Sequence, residues 1–395
     1  MTDVVIAAVA RTPIGRAYKG AFNNTRSPTL TGHAIRAAVE RAGVAPEAVD
    51  DVLIGTALPS GTAGWNLARM SGLAAGLPDT VPGMTLDRQC SSGLMTIAAG
   101  ARQIMQDGMS VVVAGGQESV SLVQDRAYKW SFDEPDATVL QHAEHAYMPV
   151  LDTAEVVAAR FGISREQQDE FALQSQQRCA AAQEAGHLDA EIVPLPSVKL
   201  VKDRETGEIS EQAVTLDKDE GNRPGTNLEG LQSLKAVREN GTVTAGNACQ
   251  LSDGAAASVV MDAKLAEQRG VEPLGYYRGV AVAGCPPEIM GIGPVVAIPK
   301  ALKYAGLELD EIELVELNEA FAVQALAVIQ ETGLDVERVN VNGGAVALGH
   351  PLGATGAKLT TQLIYEMKRR GNRYGMVTMC IGGGMGAAGI FENLS

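Results

Sequence analysis

The chain has 395 residues, 46% of them hydrophobic and only 4% aromatic, and carries a formal net charge of −15. That length and apolar content allow two or three domains with sizeable cores. The acidic balance excludes nonspecific binding to nucleic acid or anionic membrane, so an anionic substrate needs a local basic patch.

From the N-terminus, V-V-I-A-A-V-A reads as a first β-strand; the residue before it is acidic, unlike the basic start of a secretory signal. A-I-R-A-A-V-E-R-A-G, from Ala34, predicts an amphipathic helix stopped by Gly43, then an acidic turn and a strand at 52–54. Next comes G-M-T-L-D-R-Q-C-S-S-G. Met84 and Leu86 alternate as in a buried strand, and after Cys90 the residues Leu94, Ile97, Ala98, Ala101, Ile104 and Met105 recur at helical spacing. A thiol at a helix N-terminus meets unpaired N–H groups and the positive end of the dipole, which favours thiolate. Ser91, Ser92 and Gly93 leave room for a substrate. The plainer alternative is an inert core cysteine. The apolar strand V-V-V-A-G-G, from Val111, follows.

A different region runs from about Ser119 to Gln250, and we read it as an inserted lid or binding domain. It carries Trp130, a helix with a Ser164/Gln167 capping box, and a hairpin with Gly207 at its turn. His142 and His145 read as solvated rather than as zinc ligands, and D-K-D-E at 217–220 as a solvated turn.

The early pattern then returns. A-I-P-K-A-L-K-Y-A-G, from Ala297, overlays the Ala34 segment without gaps at an offset of 263 residues, with Gly306 as its stop and a strand at 314–315. V-N-V-N-G-G-A, read as a further strand, leads to the loop holding Gly349, His350 and Pro351, which corresponds to the loop holding Cys90. A helix from about Gly353 and the strand M-V-T-M, ending at Cys380, complete the repeat. A long-period repeat of strands and helices predicts two related α/β halves. His350 can serve as a base for Cys90 or as a helix cap, Asn318 as an oxyanion donor or a cap, and Cys380 as a reactive or a core thiol. The G-x-G-x-x-G match at 384–389 lies too near the C-terminus for a dinucleotide fold. Five cysteines at irregular spacing form no disulfide framework. They point to a reducing compartment; no run is long and apolar enough to span a bilayer, and the expected location is the cytoplasm.

C-S-S-G at 90–93, N-E-A-F-A at 318–322, the N-x-x-G-G-A-x-A-L-G-H-P-x-G-x-x-G run from Asn340 to Gly356, and M-C-I-G-G-G-M-G from Met379 resemble the four signature blocks of thiolases. The resemblance extends over essentially the whole chain. It implies two halves in α-β-α-β-α layers, here 1–118 with 251–273 and then 274–395, around an inserted loop domain at 119–250. It also implies fatty acid metabolism, in which a 3-ketoacyl-CoA is cleaved, or formed by Claisen condensation, through a Cys90 acyl-enzyme with ping-pong kinetics. His350 would be the activating base and Cys380 the acid–base on the substrate α-carbon. Asn318 would hold a water at the enolate, and Gly382 and Cys90 would supply oxyanion N–H groups. Arg223 and Cys249 would contact coenzyme A, a substrate rather than a resident cofactor. No metal, nucleic-acid or membrane partner is implied, and a homodimer or homotetramer is. Asp87, Cys249, Tyr147 and a shortened 119–155 stretch depart from the family pattern and bear on chain length. A ketoacyl synthase-like enzyme of the same fold is the alternative; such enzymes use a cysteine with two histidines, and the shortage of histidines together with Cys380 argues against it. A degenerate carrier or scaffold would have lost one of the three catalytic positions.

Overall fold

The computed structural model describes residues 3–393. Twelve strands occur among them: β1 (Val4–Arg11), β2 (Gly15–Arg16), β3 (Asp51–Gly55), β4 (Gly83–Leu86), β5 (Val111–Ser119), β6 (Leu195–Lys202), β7 (Ile209–Leu216), β8 (Ser252–Asp262), β9 (Gly275–Gly284), β10 (Leu314–Leu317), β11 (Tyr374–Ile381) and β12 (Met385–Glu392). All but β6 and β7 belong to one sheet, ordered β10-β11-β12-β9-β1-β8-β5-β3-β4, with β2 on β8. The β3–β4, β3–β5 and β10–β11 pairs are parallel and the others antiparallel. The two halves of this sheet meet only at β1–β9, through Val5↔Tyr276 and Ile6↔Gly275.

Strand alternation divides the core into layers. Val112 and Ala114 of β5 share a cluster with Leu94 and Ile97 of the helix Ser92–Gln106, Leu359 and Leu363 of the helix Thr355–Arg370, and Val377 and Met379 of β11. These two helices therefore lie between the halves. Val111 and Val113 point the other way, onto the helices Ser27–Ala42 and Leu67–Ala75. Met376 likewise packs against the helices Gly293–Ala305 and Ala322–Thr332. The result is the expected α-β-α-β-α stack.

The sequence repeat has structural counterparts. The helices Ser27–Ala42 and Gly293–Ala305 both end on left-handed glycines, Gly43 and Gly306, and lead to β3 and β10. Two details differ from expectation. β4 is a half-exposed edge strand, not a buried one. V-N-V-N forms no strand: Val339 makes a single bridge to Val315, and the chain then turns at Asn340, whose φ is 48°.

In the intervening region the Ser164/Gln167 capping box and the β6–β7 hairpin, with Gly207 left-handed at its turn, are both present. His142 is exposed. The 217–220 run is not a solvated turn, however. Asp219 is buried, accepting hydrogen bonds from Nη1 and Nη2 of Arg11 at 2.7 and 2.9 Å and from the Ile14 amide at 2.7 Å. Arg11 lies wholly inside and also pairs with Glu191 at 2.8 Å; a buried guanidinium needs such partners. Among the described residues no helix is long and apolar enough to cross a membrane.

Candidate active site

Cys90 occupies a 3₁₀ turn, Gln89–Ser91, immediately before the helix Ser92–Gln106. Side chains around it hold the turn. Ser92 Oγ accepts from the Arg88 amide (2.8 Å) and donates to the Gln89 carbonyl (2.6 Å), while the Gln89 amide donates to Asp87 (2.7 Å). Ser91 and Ser92 are buried, so they are staples of the turn rather than space for substrate. Gly93 has a different use as well. A Cβ there would lie 2.8 Å from the Ala357 nitrogen, and one at Gly356 would lie 2.4 Å from that of Leu94. The two central helices thus cross at backbone contact near their N-termini. That crossing carries the Cys90 turn onto the Leu352–Ala354 turn, just beyond His350, and onto the end of β11.

Burial pushes the Cys90 thiol up to about 11; the Gly382 N–H and its own N–H pull it down, and the Glu118 and Asp87 carboxylates oppose them. The thiolate expected from the helix start is therefore not favoured in the resting site. Loss of water outweighs the local amides, and the thiol needs a base.

His350 precedes the Leu352–Ala354 turn that the Cys90 turn packs against. It is buried, its amide donates to the Gln250 carbonyl (3.0 Å), and Gly349 before it has a φ of 99°. Its Nδ1 lies 2.6 Å from Thr355 Oγ1 and its Nε2 lies 3.4 Å from Asn318 Nδ2. Burial, and then the charge of Lys358, push the imidazole down to about 3, so the ring is neutral.

Asn318 follows β10 and is fixed by its own amide, which donates to the Thr378 carbonyl (2.9 Å). It caps no helix, since the next one begins at Ala322. Its Oδ1 is buried with no hydrogen-bond partner among the described residues. Cys380 is fully buried near the end of β11, among Val157, Ile289 and Phe321. Burial raises it well above the usual thiol range, and the Cys90, Cys249 and Cys285 thiols add to the effect. Cys249 also neighbours Cys90 and is pushed up to about 12 by burial. Gly382 presents its N–H to the Cys90 thiol.

Two openings flank this cluster. A cleft of about 200 Å³ is lined by Arg223, Gln176, Asn227, Leu231, Gly246 and Gln250, and reaches the site at Gln250. A larger, mainly apolar cavity of about 660 Å³ reaches it at Gln89 and Gly382; its walls include Ala57–Ser60, Tyr128, Trp130, Phe132, Tyr147 and Leu151, with Asp87 at its edge. Sequence reasoning had marked Asp87, Tyr147 and the 119–155 stretch as bearing on chain length, but missed Thr355, Glu118 and the gathering of Tyr128, Trp130 and Phe132 into this wall. The signal for Glu118 was a carboxylate closing an otherwise apolar strand. Thr355 carried none. Among the described residues no group of three or more His, Cys, Asp or Glu side chains is placed to hold a metal.

Residues 4–264 match the thiolase N-terminal domain and residues 271–393 the thiolase C-terminal domain. The 3-ketoacyl-CoA thiolase of Bacillus subtilis (strain 168) is 49% identical over 393 residues, which is 99% of this chain and 100% of that protein. Among solved structures, the Bacillus anthracis acetyl-CoA acetyltransferase superposes with a TM-score of 0.88 at 42% identity, covering 100% of this chain and 99% of the other. Human mitochondrial 3-ketoacyl-CoA thiolase in complex with CoA gives a TM-score of 0.87 at 40% identity, with coverage of 100% and 98%.

Proposed function

The chain belongs to the thiolase family, enzymes of CoA-dependent acyl transfer, and on that premise we propose that Cys90, His350 and Cys380 divide the thiolysis of a 3-ketoacyl-CoA among them. His350, neutral and buried, takes the Cys90 proton. The sulfur attacks the C3 carbonyl, and the Cys90 and Gly382 N–H groups meet the oxyanion that forms. The C2–C3 bond then breaks. The two-carbon enolate, held at its oxygen by His350 and a water on Asn318, takes a proton from Cys380 and leaves as acetyl-CoA. A second coenzyme A attacks the thioester on Cys90 and releases the shortened acyl-CoA, which gives ping-pong kinetics. In reverse, Cys380 removes the α-proton of acetyl-CoA for Claisen condensation.

The observation that carries this reading is the meeting of two N-terminal helix turns, one from each half, over the end of β11. Arg223 and Cys249 would contact coenzyme A, which enters as substrate and not as a resident group. The 119–250 segment would act as the lid, and its aromatic cavity favours acyl chains longer than acetoacetyl. The half-exposed edge at β4, which Asn66 touches through the Gly83 carbonyl, and the largely exposed Trp65 next to Asn66 fit association with further copies of the chain. Five free cysteines fit a reducing compartment such as the cytoplasm.

The test is the rate of CoA-dependent cleavage across a series of 3-ketoacyl-CoA chain lengths. Cleavage throughout, with kcat/KM rising beyond four carbons, is expected. No cleavage of any member would refute the proposal.

A further inference from the structure

Glu118, next to last in β5, is fully buried and is not used by the chemistry above. Its carboxylate accepts three hydrogen bonds: from Thr56 Oγ1 at 2.9 Å, from the Ala57 amide at 2.8 Å and from the Gly353 amide at 3.0 Å. The first two donors begin the segment that walls the apolar cavity at Ala57–Ser60. The third lies three residues beyond His350 and two before Thr355. One carboxylate therefore joins a substrate-lining loop of the first half to the loop carrying the base in the second. The contact has no slack, because a Cβ on Gly116 would lie 2.1 Å from the Gly353 carbonyl oxygen.

We propose that Glu118 is a positioning residue that couples the acyl-cavity wall at Thr56–Ala57 to the His350–Thr355 loop. Without it, two buried backbone amides lose their acceptor, and each loop is free to move without the other. An acyl chain seated against residues 57–60 then presses on the same carboxylate that fixes the base. Charge supports the arrangement. Burial raises Glu118 to about 7, against the pull of its three donors, so it is part-ionised at neutral pH. The titratable groups that interact with it are Asp87, Cys90 and Tyr128, and Asp253 lies on the adjoining strand β8, opposite Ser119.

The proposal rests on the thiolase reading of the site, and its test separates the two. Glu118→Gln keeps one oxygen to accept from Ala57 and Gly353; Glu118→Ala keeps none. Leaving buried donors unpaired should lower kcat of Glu118→Ala by roughly tenfold or more and abolish the preference for longer chains, while Glu118→Gln stays within about threefold of wild type. Thr56→Val should blunt the chain-length preference more than it lowers acetoacetyl-CoA cleavage. Alkylation of Cys90 by iodoacetamide needs no turnover. At neutral pH it should be faster in Glu118→Gln, which lacks the carboxylate that opposes thiolate formation. Its pH dependence should also lose an inflection near pH 7.

A folded Glu118→Ala with wild-type kcat and chain preference would overturn the proposal. So would a Glu118→Gln as slow as the alanine variant, or alkylation that is the same as wild type at every pH. If Glu118→Ala does not fold, an unaltered chain-length preference in Thr56→Val overturns it. A wild-type protein that cleaves no 3-ketoacyl-CoA would instead overturn the thiolase reading, and the alkylation rates would still decide on Glu118.

Discussion

His350 Nδ1 and Thr355 Oγ1 stand 2.6 Å apart inside the protein. With the threonine accepting, Nδ1 carries the proton and Nε2, toward Asn318, is left free to act as a base. Thr355→Val removes that acceptor and leaves a buried N–H unpaired, a cost of about 1–3 kcal/mol. We predict a fall in kcat of roughly ten- to a hundredfold with little change in KM, restored by Thr355→Ser. Steady-state thiolysis at saturating CoA measures it, and an undiminished kcat in the valine variant contradicts the assignment.

The same burial makes stability depend on pH. His350 is pushed down to about 3 from 6.5, so unfolding takes up a proton between those values. Its contribution is whole above pH 6.5 and is lost as pH falls toward 3. Between about pH 6.5 and about pH 5, wild type should lose about 2 kcal/mol more unfolding free energy than His350→Asn. Urea unfolding at the two values checks this; parallel losses would remove His350 as the cause.

Cys380 should be dispensable for acylation and required for carbon–carbon chemistry. Cys380→Ala is expected to exchange label between acetyl-CoA and free coenzyme A at a rate near wild type. Acetoacetyl-CoA cleavage should fall by roughly 10²–10⁴. Equal losses in both assays would instead make Cys380 a structural thiol.

The two openings should respond separately. Arg223→Ala is expected to raise KM for coenzyme A with a smaller effect on kcat. Trp130→Ala should lower kcat/KM for longer chains by about tenfold and acetoacetyl-CoA cleavage by less. Assays varying coenzyme A and chain length independently distinguish them, and a reversed pattern would exchange the roles of the cleft and the cavity.

The repeat was legible because helix stops such as Gly43 and Gly306 leave plain local marks, and because motif blocks carry Cys90, His350 and Cys380. What a thiol or carboxylate feels from its surroundings was not. The helix-start argument for Cys90 was sound locally, but burial reversed its sign. Ser92 and Gly93 looked like open space and are a turn staple and a helix crossing. Asp219 looked solvated because its partner, Arg11, is 208 residues away in sequence. Glu118 stood out only as a carboxylate ending an apolar strand, and its partners lie 61 to 235 residues away, while Thr355, only five residues from His350, carried no mark of its own.

The account turns on Cys90 as the covalent acyl carrier. Incubation with labelled acetyl-CoA and no second substrate, followed by acid quench, proteolysis and mass spectrometry, tests this most directly. The label should sit as a thioester on the peptide containing Cys90 and vanish in Cys90→Ala. Label on Cys249 or Cys380 instead, or retained by Cys90→Ala, would contradict it.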